Sequence, residues 1–308
     1  VFMGTPDYAV KTLEALIGAG HTVAAVFAQP DKPVGRKQIL TPPPVKVCAQ
    51  MHGIPVFQPR TLRDGEAEKI IRNIAPDVIA VVAYGKILPT EILTLPRFGC
   101  VNGHASLLPK YRGAAPIQWC IVNGEKETGV TAMQMDEGMD TGDILETAVT
   151  EIGAEETAGE LFERLSVIGA ELLVKTLADI ENGNVTPIKQ DESKATAAPI
   201  IKKEMAKISF HDMTAEEVHN AVRGFYPWPV AFFISGGKRI KIIKSRVVNM
   251  RGTAGAVLKS DNELIVACKK EAVALETIQP EGSKPMSAKQ YLCGRSIALG
   301  AEIEDENG

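Results

Sequence analysis

The sequence predicts an α/β protein in which a Rossmann-like domain on a mostly parallel sheet is followed by a small OB-like β-barrel domain. Three observations carry this. Apolar runs rich in Val and Ile alternate with helical patterns through the first half. A polar stretch without a sustained period interrupts the chain near residue 190. Five short β-rich runs separated by Gly-containing turns fill the last third. The length of 308 residues also exceeds one ordinary domain of ~150 residues. The boundaries expected are 1–189 for the first domain, 190–206 for a linker and 207–308 for the second.

In order, the first-half strands are expected at 1–3, 22–28, 55–58 and 77–84, with helices at 8–17 and 65–74 between them. The run at 78–82 has no polar alternation, as a strand covered on both faces requires. Further strands follow at 100–105, 129–135 and 143–149, then a helix over 157–180 that ends at Asn182-Gly183. Residues 190–205 have linker composition. In the second domain Thr214 and Glu217 form a capping box that starts a helix over 214–224. Strands are then expected at 231–235, 239–248, 255–258, 264–268 and 272–278. Ligands of sheets like the first bind beyond the carboxyl ends of the strands.

Composition narrows the function. The chain is 45% hydrophobic and 23% charged, as globular proteins are, and has no run of ~18 apolar residues to span a membrane. Cys48, Cys100, Cys120, Cys268 and Cys293 show no CxxC spacing, which disfavours a zinc site and a disulfide framework and favours a reducing compartment. No targeting segment is visible, and the strand-like start at Val1 implies that residues precede it. The net charge is −4, yet residues 223–295 carry thirteen Lys or Arg against five acids, a local balance of +8. That is a polyanion footprint masked by acids elsewhere. Nothing demands more than a monomer.

The run from Val101 to Pro116, with Asp140 downstream, offers an amide, an imidazole and a carboxylate without a candidate nucleophile. That set suits polarising a carbonyl while a substrate amine attacks it. Asn102 and His104 lie two apart on a strand and so share a face. Asp140, between two glycines, can orient His104 or merely close an Asx-turn. The four acids of 136–143 do not have EF-hand spacing and no His cluster supports them, so no metal is expected. Gly4-Thr5-Pro6-Asp7 matches neither a dinucleotide fingerprint nor a Walker motif, which excludes NAD and ATP chemistry. Residues 31–44 read as a long, basic, Pro-stiffened loop whose Lys32, Arg36 and Lys37 can meet phosphates or simply face solvent. Lys238, Arg239, Lys241, Lys244, Arg246 and Arg251 fall within an acid-free stretch of the second domain. With few aromatics between them, they favour tracking a nucleic-acid backbone over stacking on bases.

These motifs together resemble the methionyl-tRNA formyltransferase family over essentially the whole chain. The pieces that match are Gly4-Thr5-Pro6-Asp7, residues 29–36, Val82-Ala83-Tyr84-Gly85, residues 104–116, Thr128-Gly129-Val130-Thr131, Met133-Gln134-Met135-Asp136, Asp140-Thr141-Gly142-Asp143 and Phe225-Tyr226-Pro227-Trp228-Pro229. The resemblance implies formyl transfer from 10-formyltetrahydrofolate, a co-substrate, to the α-amino group of methionyl initiator tRNA in a bacterial-type cytoplasm or an organellar matrix. It also implies Asn102, His104 and Asp140 as the catalytic trio, with Ser106, Leu107, Leu108, Pro109, Tyr84 and Gly85 at the folate. Lys32, Arg36 and Lys37 would meet the tRNA acceptor end, and Lys238, Arg239, Lys241, Lys244 and Arg246 its body. One departure is Gly103, where the family usually carries a bulky aliphatic residue. The alternatives are a formyltransferase acting on a small-molecule amine and a non-catalytic RNA-binding protein.

Overall fold

The structure is a computed structural model that describes residues 1–35, 37–295 and 297–304. Contacts divide the chain into two units: Val1–Pro116, Glu127–Glu151 and Phe162–Pro199 form one, and Ile117–Lys126, Ile152–Leu161 and Ile200–Gly308 the other. The elements, in chain order, are β1 (Phe2–Gly4), α1 (Asp7–Gly18), β2 (Val26–Phe27), β3 (Lys32–Val34), β4 (Ile39–Thr41), α2 (Pro44–Met51), β5 (Val56–Phe57), α3 (Glu66–Ile74), β6 (Ile79–Val82), α4 (Thr90–Leu93), β7 (Cys100–His104), β8 (Arg112–Gly113), α5 (Pro116–Val122), β9 (Glu127–Gln134), β10 (Ile144–Glu151), α6 (Ala158–Glu181) and β11 (Ala197–Ala198). Then come α7 (Ala215–Gly224), β12 (Phe232–Ser235), β13 (Lys238–Val248), β14 (Val257–Ser260), β15 (Leu264–Ala267), β16 (Ala272–Pro280), β17 (Met286–Ser287) and α8 (Ala288–Leu292).

The first unit is built on a seven-stranded sheet of order β10-β9-β7-β6-β1-β2-β5. The five strands from β7 to β5 pair in parallel, and β9 and β10 add an antiparallel edge. All four residues of β6 are buried, because the sheet is covered on both faces. Helix α1 buries Tyr8, Ala9, Thr12, Leu13 and Leu16, the stripe that a 3.6-residue period presents to a sheet. Met3, Phe27, Ile71, Ile79, Val81, Tyr84 and Ile92 belong to one core cluster. This is the α/β sheet domain expected of the first half.

Residues 31–44 depart from the loop expected there. They contain a two-stranded hairpin with Lys32 opposite Thr41 and Val34 opposite Ile39, after which Pro44 opens α2 at a position where a missing N–H costs nothing. The hairpin hides from pattern reading because every residue of β3 and β4 is exposed, so no buried face imposes alternation. Arg36 lies outside the described residues.

The second unit holds a curled antiparallel sheet of order β12-β13-β16-β15-β14, with β17 on β16. It is the small β domain expected of the last third, in the form of a half-barrel. Helix α7 carries the expected capping box: Glu217 N–H donates to Thr214 Oγ1 at 3.2 Å, and Thr214 N–H to Glu217 Oε2 at 2.7 Å. In β13, Ile240, Ile242 and Ser245 are buried while Arg239 and Lys244 are exposed. The parity changes because the register shifts between Ile242 and Lys244. That bulge keeps Lys244 and Arg246 off the buried face.

Candidate active site

Strand β7 carries Asn102 and His104 on either side of Gly103, paired to β6 through Val81 and to β9 through Met133 and Thr131. Their side chains meet one carboxylate. Asn102 Nδ2 is 3.5 Å from Asp140 Oδ1, and His104 Nδ1 is 3.6 Å from Asp140 Oδ2. Both contacts are too long to be strong hydrogen bonds, so the amide and the ring nitrogen keep capacity for a third group. His104 is only 7% exposed. Its Nε2 lies 2.9 Å from the carbonyl oxygen of Tyr111. A carbonyl oxygen only accepts, so Nε2 carries a proton and Nδ1 is the edge open to chemistry.

Asp140 sits in the β9–β10 connection at φ +56°, a left-handed conformation that Asp tolerates better than most residues. Its Oδ2 accepts the Gly113 N–H at 2.8 Å. At Gly142 an added Cβ would lie 1.7 Å from the Gln134 carbonyl oxygen, so the glycine there permits a close approach of backbone to backbone. Two other acids of this connection point elsewhere: Asp136 Oδ1 accepts from Gly138 N–H and Thr141 Oγ1, and Glu137 Oε1 accepts from Thr90 Oγ1. Gly103 is unstrained, since a Cβ built on it would meet Val82 Cγ2 at 3.6 Å, an ordinary contact.

The segment after His104 is held by Thr131. Its Oγ1 donates to the Ser106 carbonyl at 2.7 Å and accepts the Leu108 N–H at 3.2 Å. Ser106 is fully buried and its hydroxyl donates to the Lys110 carbonyl at 2.6 Å, so that hydroxyl is already engaged. Leu107 and Pro109 are half-buried and Leu108 is buried. The side chain of Tyr84 belongs to the core cluster, and its carbonyl accepts from Thr5 Oγ1 and Gln29 Nε2, each at 3.0 Å. Gly85 follows at φ +80°.

Among the basic residues, Lys32 and Lys37 are exposed on the β3–β4 hairpin. Lys238, Arg239 and Lys241 lie at the start of β13, where Arg239 stacks on Phe232 at 4.0 Å. Arg239 and Lys241, with Ile234, Gln279 and Glu281, line a groove of about 480 Å³. Lys244 and Arg246 are engaged instead: Lys244 Nζ is 3.3 Å from Glu276 Oε2, and Arg246 pairs with both Glu276 and Glu263. Sequence reading missed Glu276 as their partner because it lies outside their acid-free run. It also missed the Tyr111 carbonyl and the Gly113 N–H, which as backbone groups leave no residue-type signal. Gln190 was hidden in the stretch of linker composition.

Residues 1–177 match the family model described as formyl transferase, and residues 200–296 match formyl transferase, C-terminal domain. The chain is 49% identical over 303 residues to the methionyl-tRNA formyltransferase of Alkaliphilus oremlandii, covering 97% of each chain. It is 47% identical over 304 residues to that of Geobacter metallireducens, covering 98% of this chain and 97% of the relative. Among solved structures, it resembles an N-formyltransferase from Helicobacter canadensis in complex with folinic acid and dTDP-3-aminofucose. That match has a TM-score of 0.67 at 23% identity and covers 91% of this chain and 98% of that one, a likeness of fold.

Proposed function

We propose, because the chain belongs to the methionyl-tRNA formyltransferase family, that it transfers the formyl group of 10-formyltetrahydrofolate to the α-amino group of methionyl initiator tRNA. The observation that carries this reading is the convergence of Asn102 and His104 on the Asp140 carboxylate, beside a serine whose hydroxyl is already engaged. The nucleophile therefore comes from the substrate. An α-amino group titrates near ~8 and is nucleophilic when neutral, so the enzyme need only polarise the formyl carbonyl and move protons.

In this mechanism the amine nitrogen bonds to the formyl carbon and the carbonyl oxygen becomes an oxyanion. Asn102 Nδ2 donates to that oxygen, joined by Nδ1–H of His104 in its protonated form, while Nε2–H stays on Tyr111. Asp140 faces both groups and balances the imidazolium charge. It can also take the proton shed by the amine, which must end on N10 of the folate as the C–N10 bond breaks. Ser106, Leu107, Leu108, Pro109, Tyr84 and Gly85 shape the folate site, with Leu107 and Pro109 the more accessible side chains. Residues 1–189 act as the catalytic domain. In 207–308, Lys238, Arg239 and Lys241 track tRNA phosphates, joined by Lys32, Arg36 and Lys37 at the acceptor end. The reaction belongs to translation initiation in a bacterial-type cytoplasm; among the described residues no helix is long and apolar enough to cross a membrane.

An assay with charged initiator tRNA and 10-formyltetrahydrofolate tests this. Formyl-methionyl-tRNA is the expected product. Transfer to small amines such as amino sugars, but not to methionyl-tRNA, would overturn the substrate.

A further inference from the structure

Asp140 sits at φ +56°, a left-handed conformation that Asp tolerates but that still costs more than the ordinary regions, so its carboxylate stays aimed only under constraint. The constraint comes from a residue 50 positions away. Gln190 Nε2 donates to the Asp140 carbonyl at 2.9 Å and to the Gly142 carbonyl at 2.7 Å, so both amide hydrogens clasp the turn on either side of Thr141. Gln190 Oε1 accepts from Arg112 Nε at 3.1 Å and Nη2 at 2.7 Å. Arg112 in turn forks onto Glu192, with Nη1 and Nη2 each 2.8 Å from a carboxylate oxygen.

The strap does not end there. Arg112 and Gly113 form β8, which pairs with β11 at Ala197 and Ala198, and the Tyr111 N–H donates to Thr196 Oγ1 at 2.8 Å. The short segment 111–113 thus presents the Tyr111 carbonyl to His104 and the Gly113 N–H to Asp140. Residues 190–198, polar and unpatterned in sequence, fasten both the Asp140 turn and the segment facing it.

We infer that Gln190 is a positioning residue for the transfer reaction: its amide nitrogen holds the Asp140 turn so that the carboxylate stays aimed at Asn102 and His104. The inference rests on the function proposed above. Misplacing a reacting group by about 1 Å costs on the order of 10–100-fold in turnover, and that is the loss expected when the two N–H donors are removed.

Two substitutions in the full chain separate positioning from mere stability. Gln190→Ala removes the whole amide; Gln190→Glu keeps an oxygen for Arg112 but has no N–H. Both are expected to lower kcat for methionyl-tRNA by on the order of 10-fold or more with KM for either substrate nearly unchanged. Glu192→Ala, which leaves both Gln190 donors in place and loosens only Arg112, should lower kcat less than either Gln190 variant. Hydrogen–deuterium exchange on the ligand-free protein supplies a readout independent of activity: exchange in 136–143 and at the Gly113 amide should quicken in both Gln190 variants. If Gln190→Ala does not fold, Gln190→Glu carries the test alone. A Gln190→Glu enzyme with normal kcat, a change confined to KM, or unaltered exchange at 136–143 would each overturn the inference. If the unsubstituted chain failed to formylate methionyl-tRNA, the function would be wrong, while the exchange experiment would still decide the role of Gln190.

Discussion

The Nε2 atom of His104 lies 2.9 Å from the carbonyl oxygen of Tyr111, which fixes the tautomer of the ring and leaves Nδ1 as its working edge. Replacing His104 by Ala should therefore lower turnover by ~10²–10³, the usual loss for one oxyanion donor. Asn102→Ala should cost a similar factor. Asp140→Asn should lose at least as much with little change in melting temperature, because Asn also accepts a positive φ. Steady-state kinetics with thermal melts check all three; an active His104→Ala enzyme of normal stability would remove the ring from the mechanism.

The two glycines of the site should respond oppositely to a methyl group. At Gly142 a Cβ would overlap the Gln134 backbone oxygen, so Gly142→Ala must displace the Asp140 turn. We expect a loss of about 2 kcal/mol or more in stability and most of the activity. At Gly103 the methyl meets only Val82, and Gly103→Ala should stabilise the strand by roughly 0.5–1 kcal/mol at unchanged kcat. Denaturant titration of both variants decides.

The cations of β13 should not be equivalent towards tRNA. Lys244 and Arg246 already face Glu276 and Glu263, so phosphate would have to displace those partners. Alanine at Lys238, Arg239 or Lys241 should each reduce the slope of log K against log salt by about 1. Alanine at Lys244 should reduce it less. Filter binding across a salt series measures the slopes, and equal effects at all four positions would contradict the ranking.

Thiol chemistry should report folding. Cys293 is exposed, whereas Cys48, Cys100, Cys120 and Cys268 are buried. Burial pushes the thiols of Cys100 and Cys268 up to about 12, so they stay protonated and unreactive at about pH 8. A maleimide should label one thiol per native chain and five after unfolding, counted by mass. Rapid labelling of a second thiol would show local opening.

Legibility in the sequence followed burial. The parallel strands were readable because covering both faces of β6 leaves an uninterrupted apolar run, and α7 because Thr214 and Glu217 signal its start. The β3–β4 hairpin was not, since none of its residues is buried. In the candidate site, Asn102 and His104 could be paired from their spacing on one strand. Asp140 joined them through the resemblance and not through any spacing, and nothing at all tied Asp140 to Gln190, because those contacts depend on loops and backbone atoms distant in the chain.

The bulge in β13 has a consequence for sequence change. Ile243 is the extra residue on that strand, and Glu276 is its counterpart on β16, where the register recovers. Glu276 is also the carboxylate that meets Lys244 and Arg246. Deleting Ile243 would leave Ile242 and Ser245 inward with Lys244 and Arg246 outward, because the residues that remain then alternate regularly. The strand should therefore lose this one residue without turning its cations inward, whereas a regular strand would flip every side chain beyond the deletion.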